Sequence, residues 1–439
     1  MKKTIAITTL GCKVNQFESA SFVSGFADAD CEIVPFSGPA DIYVINTCAV
    51  TARAGQQSRQ LVRRAIRANP EARIVVTGCY AQIAAEQLLE ITDNPVCIVG
   101  NGNKHLLVET ALMDDPPELI MLTGNIGLQR EICKLPVHRF RGRTRCYLRI
   151  QDGCNNFCSY CIVPYSRGRS RSLPKSAVVE QVEVFRDQGY REMVITGINV
   201  GKYGLDLDEN ENIHTLLDNL CSRFPDMRIR LSSIEPVEVD DQLLGIMAKN
   251  ENFMPHFHIP LQSGDDRILA RMNRRYTAEV FVGVIRKISS AFPNAAIGCD
   301  VLTGFPGEDE PAAENTFRLL QGLPISYLHV FPYSRRPGTP AASFKKQVNG
   351  KTKDERVRRL RKLDQEKRQA FYRRQLGSVH RVLVERRNTK TGMLQGFTEN
   401  YMPLQFAGPT NLIRQVVTVC LDRILDNQPI ATLETDQQN

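Results

Sequence analysis

Short β-branched runs alternate with helical stretches through residues 1–125 and again from Tyr147 onward. Such alternation leaves room for little but parallel strands with helices packed on their faces. In the first series the strand candidates are 4–10, 42–46, 73–77 and 96–99, and the helix candidates are 16–27, 53–68, 81–89 and 105–113. The second series has six strand candidates, YLRIQDG, EMVITG, RIRLSS, HFHIPLQ, AIGCDVLTG and YLHVFPY, with helical stretches such as 176–187, 280–292 and 312–322 between them. Six units of roughly 30 residues predict a partial (β/α)6 barrel rather than the full eight. Residues 126–145, with Pro136 and the basic run RFRGRTR, read as a linker. A basic helical segment over 351–376 stops at Gly377, and the remainder, with runs such as HRVLVE and IATL, reads as a small β-barrel. The expected class is α/β, with units at 1–125, 146–376 and 377–439.

No apolar run approaches the ~18 residues needed to span a bilayer. The N-terminal run is alternating and β-branched and has no small-residue cleavage site, so it is read as a first strand and the protein as cytosolic. Thirteen cysteines is a high and odd count for such a chain, and that compartment disfavours a disulfide framework. Metal or cluster ligation is the better use for several of them.

Cys154, Cys158 and Cys161 form a CxxxCxxC run on a loop after a strand candidate. Three thiolates so spaced reach three irons of a cubane cluster and leave the fourth open to a substrate. A structural zinc wants a fourth protein ligand, and no nearby His or Cys offers one. A second trio, Cys12, Cys48 and Cys79, ends the runs TTLGC, VINTC and VVTGC, although 35 and 30 residues intervene. Parallel strands deliver their C-terminal ends to one edge, so these thiols should converge. Glycine before Cys12 and Cys79 permits a tight turn beside a bulky group. Spacing alone leaves a zinc site or buried unligated thiols open for this second trio.

The CxxxCxxC run, with Tyr160 before its last cysteine, resembles the radical-SAM superfamily. Joined to the N-terminal trio and the C-terminal barrel, it resembles the methylthiotransferase family over essentially the whole chain. The resemblance implies two [4Fe–4S] clusters, one on Cys154, Cys158 and Cys161 and an auxiliary one on Cys12, Cys48 and Cys79. It implies S-adenosylmethionine (SAM) chelated at the open iron and cleaved to a deoxyadenosyl radical, with no side chain needed as general acid or base. It also implies an electron donor such as flavodoxin or ferredoxin, and iron–sulfur assembly proteins. The other seven cysteines (31, 97, 133, 146, 221, 299, 420) match no family ligand and are assigned to packing. Gly197, Asn199, Ser232, Ser233, Glu235 and Gln262 follow strand candidates and could line a SAM pocket, though loop capping explains such residues equally well. GFPGED, 304–309, reads as a turn of mainly structural role.

Within the family, GCKVNQFES, CNNFCSYCIVPYSRGRSRS and RIRLSSIEP look like the branch that acts on threonylcarbamoyl-adenosine of tRNA, next to the anticodon. The rivals are isopentenyl-adenosine in tRNA, an aspartate of a ribosomal protein, and a non-catalytic iron–sulfur RNA-binding protein. A net charge of +8 fits a polyanionic partner. Arg167, Arg169 and Arg171, together with the 351–376 helix, are expected to meet tRNA phosphates. In that helix Asp354, Glu355, Asp364 and Glu366 allow a solvated, self-paired face as the alternative. The terminal barrel resembles a TRAM domain, an OB-like module; lacking Trp, it would stack bases on Phe397, Tyr401 or Phe406.

Overall fold

A computed structural model describes residues 2–91, 96–115, 117–208 and 210–434. The last five residues of the expected 377–439 unit lie outside this range. The first β-branched runs form β1 (Thr4–Thr9), β2 (Glu32–Val34), β3 (Ile42–Thr47), β4 (Arg73–Gly78), β5 (Val96–Val99) and β6 (Leu119–Leu122). All six are parallel, in the order β2-β1-β3-β4-β5-β6. Every residue of β3 is buried, because helices cover both faces of the sheet. Alternate strand residues serve the two faces. Ile5, Val44, Val75 and Val99 pack with α1 (Lys13–Asp28) and the later helix at Leu107–Leu112. Tyr43, Ile45, Ile74 and Val76 pack with α2 (Ala52–Ala68). The segment expected as one helix over 81–89 divides into α3 (Cys79–Ile83) and α4 (Ala85–Leu89), and the Leu107–Leu112 helix is α5.

The second series forms β7 (Cys146–Arg149), a short antiparallel pair β8 (Gln151–Asp152) and β9 (Arg171–Ser172), then β10 (Glu192–Thr196), β11 (Arg228–Leu231), β12 (His256–Gln262), β13 (Ala296–Thr303) and β14 (Tyr327–Pro332). Its helices are α6 (Val163–Arg167), α7 (Lys175–Asp187), α8 (Ile213–Arg223), α9 (Asp241–Lys249), α10 (Asp266–Arg271), α11 (Ala278–Ala291) and α12 (Glu310–Gly322). Strands β7, β10 and β11 pair in parallel, as do β12, β13 and β14. Isolated parallel bridges, Ile229 to Phe253 and Ser233 to His258, link the two halves. The result is the expected partial barrel, open between β7 and β14, with α1 packed on β7. The basic helix α13 (Gly350–Arg374) lies along β14. Strands β15 (Val379–Arg387), β16 (Leu394–Thr398), β17 (Pro403–Phe406), β18 (Val416–Leu425) and β19 (Gln428–Leu433) close a five-stranded barrel with its own core.

Residues 126–145 join the two α/β units in the expected place, but they are no free linker. Ile126, Ile132, Leu135, Val137 and Phe140 are buried. The Phe140 and Val137 backbones are held by Tyr190 Oη and the Gln181 amide. The basic run gave the segment a hydrophilic look, while its apolar residues seal one core shared by both units. No helix among the described residues is long and apolar enough to cross a membrane.

Candidate metal centres and barrel cavity

Cys12 caps the start of α1, Cys48 follows β3 and Cys79 opens α3 directly after β4. Because β1, β3 and β4 are neighbours, the three thiols share one sheet edge, as their strand-end positions require. The two glycines behave as expected. Gly11 has φ +102°, and a Cβ there would sit 3.0 Å from Cys48 Sγ; Gly78 has φ +94°, and a Cβ would meet Thr47 O at 2.3 Å. Asn15 ties the edge together, donating to Leu10 O at 2.7 Å and Thr47 O at 2.9 Å. Cys48 and Cys79 are buried and Cys12 is exposed. Burial, then the neighbouring Cys79 thiol, pushes the Cys48 thiol up to about 11.

The second trio lies on the loop between β8 and α6. That loop is pinned to residues after α10: Ser159 N–H donates to Met272 O at 3.0 Å, and Asn273 Nδ2 donates to Asn156 O and Phe157 O at 3.2 and 3.0 Å. Arg274 Nη1 lies 3.3 Å from Cys158 Sγ, and its other Nη pairs with Glu235. Burial, then the Cys158 thiol, pushes Cys161 up to about 12. Tyr160 packs edge-on against Phe305 of the GFPGED turn, whose Glu308 accepts the Gly304 and Phe305 N–H groups.

Both donor sets are three thiols, the chemistry an open-sited iron–sulfur cluster needs. Among the described residues a separate group, His258, Asp300 and His329, has ligand atoms within 4.8 Å of one another.

The residues expected to line a SAM pocket stand at the C-terminal ends of β10, β11 and β12, the barrel edge that also carries the cysteine loop. Ile198 and Asn199 N–H both donate to Gln151 Oε1 at 2.9 Å, which fixes the turn after Gly197. Gln262 sits at φ +66°. Ser232 and Ser233 border a barrel cavity. Glu235, at the same edge, pairs through one carboxylate oxygen with Arg274.

Two of the three arginines expected on RNA are interior. Arg167 is 1% exposed, donating to Glu18 Oε1 at 3.0 Å, Asp152 Oδ1 at 2.8 Å and Asn15 Oδ1 at 2.6 Å. Arg171, also buried, is 3.8 Å from Asp152 and donates to Arg167 O. A guanidinium costs too much to bury unpaired, so both are counter-charges to the Glu18 and Asp152 carboxylates. Arg169 alone is exposed, over the Phe157 ring at 4.5 Å. Of the aromatics expected to stack bases from the outside, Phe406 is in the terminal barrel's core. Phe397 and Tyr401 stack on each other with centroids 4.6 Å apart and face the barrel cavity. Of the other cysteines, Cys97, Cys146, Cys221 and Cys299 are buried in the core, Cys146 donating to Glu192 O.

That cavity, about 420 Å³, is walled by Lys13, β11–β14, α13 and the Phe397–Pro403 segment. Inward-facing His256, His258, Asp300, Tyr327 and His329 give it a polar lining; Asp300 accepts from His258 Nε2 at 2.8 Å and lies 3.4 Å from His329 Nδ1. Burial holds His256 well below the usual imidazole range, hence neutral. Sequence reading missed this lining, whose signal was a polar residue at every second place in HFH and YLH. It missed Arg274 and Glu18 as well, which no local pattern marks.

Residues 148–320 match the family model described as the radical SAM superfamily, and residues 4–100 match one described as uncharacterized protein family UPF0004. The threonylcarbamoyladenosine tRNA methylthiotransferase MtaB of Bacillus subtilis is 39% identical over 95% of this chain and 93% of its own length. The chain belongs to the radical-SAM methylthiotransferase family. The MtaB of Aquifex aeolicus is 38% identical over 92% of this chain and 97% of its own length. The tRNA-2-methylthio-N(6)-dimethylallyladenosine synthase of Pelotomaculum thermopropionicum is 34% identical over 95% and 94%. Among solved structures, the radical SAM methyltransferase TsrM of Kitasatospora setae has TM-score 0.57 at 15% identity, covering 78% of this chain and 75% of that one, a likeness of fold. As a radical-SAM methylthiotransferase the chain is an enzyme that uses a [4Fe–4S] cluster and SAM.

Proposed function

We propose that the chain installs a methylthio group at carbon 2 of N6-threonylcarbamoyladenosine 37 in tRNA, giving the 2-methylthio derivative. The observation that carries this reading is the 33–39% identity to five MtaB relatives across at least nine-tenths of the chain. Cys154, Cys158 and Cys161 would hold the SAM-binding [4Fe–4S] cluster, and Cys12, Cys48 and Cys79 an auxiliary [4Fe–4S] cluster. When bound, the first cluster with SAM would supply the deoxyadenosyl radical that takes the carbon-2 hydrogen, and the auxiliary cluster the sulfur that replaces it, methylated by a second SAM. The chain's own part is placement. Glu235 orients Arg274, which donates to Cys158 and offsets thiolate charge. Gly197, Asn199, Ser233 and Gln262 offer backbone and side-chain polar groups to SAM on the same barrel edge. The barrel cavity, which Ser232 and Ser233 border, receives the base. No side chain is assigned as general acid or base.

The division into units at 1–125, 146–376 and 377–439, the cytoplasmic location, delivery of electrons by a flavodoxin or ferredoxin, and cluster loading by assembly proteins belong to the same reading. Nucleoside mass spectrometry of tRNA from a deletion strain tests it. The 2-methylthio-threonylcarbamoyl nucleoside should vanish and return with the wild-type gene but not with Cys154→Ala or Cys12→Ala. Loss of the 2-methylthio-isopentenyl nucleoside instead would move the chain to the other tRNA branch. Iron analysis should find eight irons per fully loaded chain, two clusters of about four each.

A further inference from the structure

Every basic side chain bordering the barrel cavity is matched, except one. Arg230 donates to the Thr398 and Glu399 carbonyls and pairs with Glu192 at 3.1 Å. Arg368 pairs with Asp364 at 3.0 Å. Asp300, the acid on the wall, is engaged by His258 and His329. Lys13 borders the same cavity, half-buried, and its ammonium has no hydrogen bond or ion pair among the described residues. Behind Phe397 and Tyr401, Arg145 lies over both rings and is itself matched, its Nε 2.9 Å from Glu385 and its Nη1 3.6 Å from Glu192. An ammonium without a partner on the wall of a partly enclosed cavity wants a compact anion.

Lys13 directly follows Cys12, so that anion would sit beside the N-terminal trio. On the reading of function above, one group on the modified base meets the description: the carboxylate of the threonyl moiety. We propose that Lys13 binds this carboxylate and so selects threonylcarbamoyl-adenosine over an adenosine with an apolar N6 substituent. An isopentenyl group would leave the ammonium unmatched, and a site built around a polar contact rejects the analogue lacking it. The same inference rests on the substrate reading and extends it to a specificity-determining residue. SAM carries a carboxylate too, so the test must separate the two sources.

The experiment uses full-length, cluster-loaded protein and two tRNAs alike except for threonylcarbamoyl or no modification at adenosine 37. Affinities are measured at fixed salt for wild type, Lys13→Gln and Lys13→Arg, together with SAM affinity and iron content. Lys13→Gln should weaken binding of the modified tRNA about ten- to a hundred-fold, the loss expected of one charge-assisted contact. It should leave the unmodified tRNA, SAM affinity and iron content unchanged, and Lys13→Arg should restore most of the difference. Equal weakening for both tRNAs would make Lys13 a phosphate contact and overturn the proposal. A fall in SAM affinity would assign the carboxylate to SAM and overturn it likewise. If wild type forms the 2-methylthio-threonylcarbamoyl product while Lys13→Gln keeps the wild-type affinity ratio, only this proposal falls. If wild type never forms that product, the substrate reading falls first and takes this one with it.

Discussion

Arg167 shows what a residue's sequence neighbourhood conceals. RGRSRS looks like a solvent-facing basic run, yet Arg167 at the end of α6 and Arg171 in β9 are buried and only Arg169 between them is exposed. The two carboxylates that need them, Glu18 and Asp152, stand 149 and 15 residues away. Lys104 and Arg149 complete a buried cluster spanning both α/β units. Removing one partner of such a group strands charge, so Arg167→Met should cost about 3–5 kcal/mol and Arg167→Lys less, read from the urea midpoint. A stability change within about 0.5 kcal/mol, together with weakened tRNA binding, would return Arg167 to the surface role. Glu192 gives the pH counterpart. Burial alone would raise its carboxyl, but Arg230, Arg228 and Arg145 outweigh it and hold it at about 2, against an ordinary 4.5. A folded-state value below the unfolded one adds stability that is fully present above about pH 4.5 and fades as pH falls toward 2, here roughly 3 kcal/mol. The stability gap between wild type and Glu192→Gln should therefore be constant near neutrality and narrow below about pH 4.5.

At the scale of elements, the strands and the six-unit barrel were legible because each β-branched run ends in a polar or glycine turn. The short, partly exposed edge strands β2 and β6 carried no such mark, nor did β16 and β17. Charge was misplaced more than structure was. In α13, Arg356, Arg359 and Arg368 bind Glu308, Glu314 and Asp364 and serve packing, with Arg359 lying 3.7 Å over Phe317. In α2, seventeen residues hold five arginines and no acid. Arg53, Arg63, Arg64 and Arg67 there are exposed and make no ion pair among the described residues. Since α2 begins just after Cys48, it is the stronger candidate for holding tRNA phosphates. Replacing Arg63, Arg64 and Arg67 by Gln should weaken binding of modified and unmodified tRNA alike and lower the log–log salt slope by about one for each phosphate no longer neutralised. The same three changes should leave the iron content untouched. An unchanged slope would leave α2 as a solvated face.

For the whole molecule, the residue pattern suggested a division at 1–125, 146–376 and 377–439, but not how completely the first two of these segments share a core. Phe17, Phe22 and Phe26 of α1 share one core with Phe140, Leu148 and Phe185 on the barrel side. Phe17 and Phe140 centroids are 6.5 Å apart, Phe140 and Phe185 5.9 Å. Cut at residue 125, the N-terminal unit would turn Phe17, which packs on Phe140 and under Arg149, to water, at about 2 kcal/mol by transfer. It would also leave Glu18 with Lys104 but without Arg167 and Arg149, the guanidiniums that face it from the barrel side. A domain of that size has roughly 5–15 kcal/mol in hand at best, and these losses consume it. Residues 1–125 expressed alone should therefore aggregate or show no cooperative melting, and calorimetry of the full chain should find residues 1–376 unfolding in a single transition. The terminal barrel, whose core takes in Ala296, Phe371 and Tyr372 but no residue of the N-terminal unit, and whose seat includes Arg230, the Arg145–Glu385 pair and the Asn400 amide on Asn294 O, is the part best placed to melt separately. A soluble 1–125 fragment with a sharp transition would instead mean that the shared aromatic layer is a docking surface between independent domains. The Lys13–cavity geometry would then vary with their docking, and Lys13→Gln would affect the affinity of the two tRNAs by different factors in protein cross-linked across α1 and β7 than in free protein.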